Sequence, residues 1–112
     1  DSRESAAGEL ARVLRKNGKL LMMNWNLDSA WALENVKSGK WKKSPDGAVL
    51  IPWKNDLGEV MGERIYFALG SDELQNLFEA RGFRIEQQYY SKHRSGGSAN
   101  QGDNLVSIFT KL

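Results

Sequence analysis

Apolar residues near the start of the chain recur at helical spacing. Ala6, Ala7, Leu10, Val13 and Leu14 form one stripe, and Arg12, Arg15 and Lys16 gather toward its end, where the negative pole of a helix dipole favours them. The pattern predicts a helix over residues 3–16 with one packed face, stopped by Asn17-Gly18 with Gly18 in the left-handed conformation. Residues 19–27 read as a strand. Leu20, Leu21, Met22 and Met23 are continuously apolar, as in a strand buried on both faces of a parallel sheet, and the stop just before them favours strand over helix.

Regularity drops over residues 28–63. Trp31, Leu33 and Val36 predict a short helix. A loop with Lys37, Lys40, Trp41, Lys42 and Lys43 follows, closed by the turn signal Ser44-Pro45-Asp46-Gly47. Residues 48–53 form a short extended piece that Pro52 assigns to an edge. Residues 64–69 are extended. Ser71 then caps a second helix, with Asp72 and Glu73 in its first turn, Leu74, Leu77 and Phe78 on its buried face and Gly82 as its stop. Phe83, Ile85, Gln87 and Tyr89 alternate with Arg84, Glu86, Gln88 and Tyr90, the period of a strand with one wetter face. Residues 91–104, rich in Ser, Gly and Asn, are expected to be a loop whose Gly96-Gly97 supplies flexibility and whose Lys92, His93 and Arg94 form a charged tip. Leu105, Val106, Ile108 and Phe109 mark a last strand, expected to pair antiparallel with the one before it.

Composition narrows the chemistry. At 112 residues the chain is one domain at most. With no cysteine and His93 as the sole histidine, disulfides, thiolate or multi-histidine metal sites and a cysteine nucleophile are all excluded. The longest apolar run, residues 20–23, is far short of a membrane span, and the chain opens on no signal-peptide pattern, so a cytoplasmic protein is expected. A net charge of +2 is too slight to imply a polyanion partner, so any nucleic-acid contact must rest on local clustering.

The order helix, strand, insert, helix, strand, strand resembles the end of a class I S-adenosylmethionine-dependent methyltransferase domain. There, a strand follows a helix, and a helix and an antiparallel strand pair close the sheet. The stretch ELARVLRKNGKLLMM, residues 9–23, is similar to that family's E-x-x-R-V-L-R-P-G-G-x-L, with Lys16-Asn17-Gly18 in place of Pro-Gly-Gly. A narrower resemblance points to the tRNA wobble-uridine carboxymethyl methyltransferases. Asn24-Trp25-Asn26 stands where they carry V-W-A, and Ile51-Pro52-Trp53 resembles their V-P-W. Residues 64–69, Arg-Ile-Tyr-Phe-Ala-Leu running into Glu73-Leu74, resemble R-Y-Y-H-V-F…E-L, with Phe67 in place of the family histidine. Gln101-Gly102-Asp103-Asn104 is similar to Q-G-N-W, and no tryptophan follows Asn104.

The resemblance implies an α/β fold containing part of a Rossmann-like methyltransferase sheet, with a substrate-side insert at about residues 28–63. It implies a nucleic-acid substrate, a tRNA in that family's manner, and S-adenosylmethionine as the cofactor of the complete domain. The family holds this donor in its first half, on a glycine-rich turn after the first strand and an acidic residue ending the second. No G-x-G-x-G occurs here, so no donor binding or transfer is expected of this chain alone. Because the chain opens on Asp1 rather than methionine, it is read as a fragment of a larger enzyme or a remnant that pairs with another subunit. A half sheet exposes its first strand, so self-association through residues 19–27, or pairing with a missing N-terminal half, is expected. The alternative is a non-catalytic RNA- or protein-binding module on a truncated scaffold.

Candidate substrate-binding residues are Asn24, Trp25, Asn26, Trp53, Arg64 and Tyr66, on the motifs quoted above. Trp25 closes the apolar strand, where open α/β sheets place ligands; it is either a packing aromatic at the rim or a wall for a base. Arg64 and Tyr66 hold an anionic group, or Arg64 pairs with Glu59 or Glu63. Lys40, Trp41, Lys42, Lys43 and Lys54 are candidate nucleic-acid contacts, since lysines neutralise phosphates and aromatics stack on unpaired bases; an ordinary solvated loop is the other reading.

Overall fold

The first helix, α1 (Ser2–Val13), begins where the Asp1 carboxylate accepts from the backbone N–H groups of Arg3 and Glu4, at 2.8 and 3.2 Å. It ends earlier than its periodicity predicts, because Leu14 turns extended at ψ 135°. The Lys111 ammonium caps this end, donating to the carbonyls of Ala11 and, at 2.6 Å, Leu14. The stop also differs from expectation: Asn17, not Gly18, takes the left-handed conformation, at φ 66°. Gly18 serves a different need, since a Cβ there would stand 2.8 Å from the Arg15 carbonyl oxygen. In this computed structural model the described residues are 1–92, 95–97 and 102–112.

Strand β1 (Lys19–Trp25) pairs antiparallel with the last strand, β7 (Asn104–Lys111), from Lys19↔Thr110 to Trp25↔Asn104. Strand β7 pairs antiparallel with β5 (Phe83–Lys92), and β5 with β6 (Ser95–Gly97), giving the order β1-β7-β5-β6. The Gly96-Gly97 backbone, expected in a flexible loop, is therefore strand-paired to Ser91 and Tyr90. The closing helix, α3 (Ser71–Glu79), packs with α1 on one face of this sheet. Ala7, Leu74 and Phe78 from the helices meet Phe83, Leu105 and Phe109 from the strands. Phe78, Phe83 and Phe109 form a ring triad with centroids 4.9–6.2 Å apart. Burying each such ring contributes about 1.5–3 kcal/mol.

The expectation that β1 is buried on both faces does not hold. It lies at the sheet edge in an antiparallel pair, and its burial alternates: Leu20 and Met22 face the helices, while Leu21 and Met23 are each 66 % exposed. Helices α1 and α3 cover the same face; on the other, Leu21 and Met23 at the edge are exposed, while Val106 and Thr110 of the central strand β7 are buried. The pattern expected for β5 also changes midway. Ile85 pairs with Phe109 but Gln87 with Ile108, so Glu86 is an extra residue and the alternation changes phase. Tyr90, rather than Tyr89, then joins the core, and Gln88 points inward to donate to Ser107 Oγ at 3.0 Å and the Ser71 carbonyl at 3.2 Å. Gly70 occupies the N-cap of α3 with no side-chain cap bond, so Ser71 is its first residue rather than its cap. Gly82 does adopt the left-handed stop, at φ 85°.

The insert is more ordered than its sequence predicts. A helix, α2 (Ala30–Lys37), precedes a three-stranded antiparallel sheet of β2 (Lys42–Lys43), β3 (Val49–Lys54) and β4 (Val60–Tyr66), in that spatial order. Ser29 Oγ caps α2 by accepting from the Ala32 N–H at 3.2 Å. The helix buries Ala32 and partly Val36, one turn apart, and leaves Trp31 and Leu33 half exposed. Between β2 and β3 the Ser44 hydroxyl and the Ala48 N–H bind the Asp46 carboxylate, holding its pKa below the usual range. Strand β2 reaches only Val49 and Leu50, so Pro52 pairs with Glu63 on one side and faces no strand on the other, the edge position a proline tolerates.

Candidate functional site

Strand β1 ends on Trp25, and the chain then turns into α2 through Asn26, Leu27, Asp28 and Ser29. This turn is fixed by Asn26, which is 7 % exposed. Its amide donates to the Gly102 carbonyl and its backbone N–H to that of Asp103, both at 2.8 Å, while its Oδ1 accepts from the Asp28 N–H at 3.1 Å. Asn26 thus staples β1 to the segment entering β7 rather than offering its amide to a ligand. Gly102 completes the staple: a Cβ there would lie 2.6 Å from that of Tyr90, so only glycine fits without a shift. Gln101, quoted with it in the sequence motif, and His93 and Arg94 of the expected charged tip lie outside the described residues.

Staple and insert together bring four aromatic rings over the end of β1. Trp25 stacks on Tyr66 with centroids 4.9 Å apart and planes 11° apart, and lies near-parallel to Trp41 at 6.3 Å. Trp31 meets Trp25 and Trp41 edge-on, at 6.0 and 4.9 Å. Trp41, expected to contact nucleic acid, is instead only 9 % exposed, packed with Leu27, Ala32 and Val49 in the core of the insert. Trp25 and Trp31 remain 43 and 48 % exposed. Trp31 is the contributor that sequence reading missed as a site residue, because its position in α2 carries no motif.

Residue parity along β3 and β4 sorts the remaining candidates. Tyr66 pairs with Val49, Arg64 with Ile51 and Gly62 with Trp53, so Tyr66, Arg64 and Trp53 share one face. The Arg64 guanidinium carbon sits 3.9 Å from the centroid of the half-exposed Trp53 ring. Among the described residues Arg64 forms no ion pair, so stacking on Trp53 replaces the expected link to Glu59 or Glu63. Trp25, Tyr66, Arg64 and Trp53 form a strip with three ring faces and one cation.

The lysines do not form one cluster. Lys40, Lys42 and Lys54 line a groove of about 450 Å³ with Leu50, Pro52, Val60 and Glu63, on the side of the small sheet opposite Tyr66. Lys43, one residue from Lys42, projects to the other side and borders a smaller pocket of about 200 Å³ between α2 and the β2–β3 turn. All four are exposed, and none pairs with a carboxylate among the described residues.

Met23, Asn24, Trp25, Leu27, Tyr66 and Phe67 line a pocket of about 310 Å³ at the end of β1. Phe67 has the Arg3 guanidinium 5.4 Å from its ring centroid. Asn24 Oδ1 is buried without a hydrogen-bond partner. Such an acceptor costs about 1–3 kcal/mol to leave unmade.

The described residues do not fit a bound S-adenosylmethionine in that family's manner. The segments leading into α2 and α3 are Asn26 to Ser29 and Phe67 to Gly70, and neither is the glycine-rich turn that lets backbone approach such a ligand. Among the described residues no group of three or more His, Asp or Glu side chains could hold a metal ion, and no helix is long and apolar enough to cross a membrane. No protein-family model and no curated protein matches the chain.

Proposed function

We propose that this chain is the acceptor-side part of a class I S-adenosylmethionine-dependent methyltransferase domain acting on nucleic acid, with a tRNA as its substrate. The sheet supports the reading: β7 runs antiparallel to β5 after α3, as the closing strand pair of such a domain would. The observation that carries it is the stack of Tyr66 from the insert on Trp25 at the end of β1, with unpaired cations on the same small sheet. A base stacks on exposed ring faces, worth about 1–3 kcal/mol each, and lysines replace the counterions of its phosphates. The donor is held by a segment outside these residues, so no transfer step is assigned to any side chain here. Positioning the acceptor is the contribution of this part.

A gel-shift titration of the chain with unmodified tRNA over a range of salt tests the reading. Changing Lys40, Lys42 and Lys54 together to Ala should weaken binding and make the slope of log affinity against log salt shallower by about 2, at about 0.7 per phosphate contact on single strands. An unchanged slope, or no binding by the parent chain, overturns it. Titration calorimetry with S-adenosylmethionine alone should give no heat; clear binding would refute the division of labour. The exposed Leu21 and Met23 beside an unpaired strand edge favour a second reading, an assembly module that pairs with itself or with another chain.

A further inference from the structure

The free edge of β1 differs from the other strand edges among the described residues. Edge strands resist pairing by being short, bulged or charged, or by carrying proline. Strand β6 spans three residues and β2 two. Strand β3 carries Pro52 beyond the reach of β2, and β4 carries Glu63 and Arg64 and meets a register shift near its start. Strand β1 has only Lys19, at one end; its seven residues pair with β7 without a break. The ladder tells which of its main-chain groups are free. Lys111 donates to the Gly18 carbonyl at 2.9 Å, and Asn26 to the Asp103 carbonyl at 2.8 Å. Hydrogen-bonded pairs alternate along an antiparallel ladder, so Leu20, Met22 and Asn24 bond to β7. Lys19, Leu21, Met23 and Trp25 therefore turn their N–H and C=O groups to the open edge. Their side chains lie on the face away from α1 and α3, where Leu21 and Met23 are exposed.

We propose that β1 pairs antiparallel with β1 of a second copy of this chain, about a two-fold axis at Met22, joining the two four-stranded sheets into one. The proposal rests on the assembly reading and gives it a partner and a register. Centring on Met22 sets Leu21 opposite Met23 of the second copy, and Lys19 opposite Trp25 of the second copy. Every outward residue of both strands then has a partner, about eight main-chain hydrogen bonds at two per bonded pair. Other registers use fewer. Centring on Leu21 sets Trp25 against Asn17, which is left-handed at φ 66°, and centring on Met23 sets Lys19 against Leu27, beyond the strand. Charge favours the same choice. The two copies of Lys19 end up about 20 Å apart at about 3.4 Å per residue, well beyond a screening length of about 8 Å. Each stands instead across from a half-exposed indole, whose face attracts a cation.

Cysteine cross-linking reads the register directly, because the chain has no cysteine of its own. Directly opposed residues stand about 4.5–5.5 Å apart between Cα atoms, within disulfide range, whereas diagonal neighbours lie at about 7 Å or more. Met22→Cys should therefore link the dimer under a mild oxidant, and Leu21→Cys or Met23→Cys alone should link at least ten-fold more slowly. Leu21→Cys combined with Met23→Cys should link as readily as Met22→Cys. That exposed pair decides the matter if Met22→Cys, on the helix-facing side, fails to fold by circular dichroism. Light scattering of the parent chain should show a mass that doubles as concentration rises. A monomer at every concentration overturns self-pairing, and with it that half of the assembly reading. A dimer that links fastest through Leu21→Cys or Met23→Cys alone, or through none of these variants, overturns the register only. Neither result bears on the tRNA gel shift.

Discussion

The four-stranded sheet and the insert treat charge in opposite ways. Every ion pair among the described residues joins groups on α1, β1, α3 or β5 or next to them; Arg3 meets Glu73 at 3.1 Å and Arg84 meets Glu86 at 2.7 Å. In the insert, Lys40, Lys42, Lys43, Lys54 and Arg64 have no carboxylate partner there. The cores differ too. Six residues led by Phe78, Phe83 and Phe109 anchor the large sheet, whereas Leu27, Ala32, Trp41 and Val49 anchor the small one. One region compensates its surface and stands on its own packing. The other leaves its lysines without a carboxylate partner among the described residues and turns Arg64 to the Trp53 ring instead.

The largest effect should come from the core of the first region. Phe109→Ala should cost about 3–5 kcal/mol in urea unfolding, because a central ring of the triad is lost. If the insert stays folded in that variant, by near-ultraviolet signal from its tryptophans, the two regions are independent; joint loss makes the large sheet the foundation. Gly102→Ala should cost about 1–3 kcal/mol, since the added Cβ collides with Tyr90 and disturbs the staple to Asn26. An unchanged midpoint would show that the staple is dispensable.

The open face of β1 allows a third test. The chain is expected to self-associate through this edge, and Met23→Lys should weaken the dimer at least ten-fold by light scattering across a concentration series. A clean monomer at high concentration refutes it. The smallest effect concerns Glu86 and acid. The Thr110 hydroxyl and the Arg84 guanidinium, helped by Lys19, hold its carboxyl at about 2 against an ordinary 4.5. A carboxylate depressed in the folded state stabilises above its unfolded pKa, and that contribution fades as pH falls from about 4.5 to about 2. Glu86→Gln should therefore lower thermal stability at pH 7, where the contribution is fully present, and flatten the acid limb in that window so that the two proteins converge toward pH 2. An acid limb identical to that of the parent would show the contacts are solvent-screened.

Much of the large sheet was legible along the chain, because its signals are local. The stripe of Leu10 and Leu14, the first-turn acids Asp72 and Glu73, and the Gly82 stop each act within a turn or two of helix. The bulge at Glu86 was not legible, since one extra residue leaves the composition of β5 untouched while reversing its faces. The insert sheet was not legible either: its pairing depends on which strands meet, such as Lys42 with Leu50 and Ile51 with Arg64. Of the candidate site, Trp25, Tyr66, Arg64 and Trp53 do share a strip, while Trp41 and Asn26 turned inward.

The sequence by itself determined the helices α1 and α3, the strands β1, β5 and β7 that pack with them, and that cations and aromatics concentrate between residues 24 and 66. Only the tertiary structure decided who covers whom. Adjacent Lys42 and Lys43 part to opposite faces because a strand alternates. Trp41 is buried while Trp25 stays half open because the insert folds back over the end of β1. The apolar residues of β1 separate into a packed and an open row because both helices lie on one side. Periodicity reports an element's own faces, and the neighbour that covers each face is set by contacts distant in the chain.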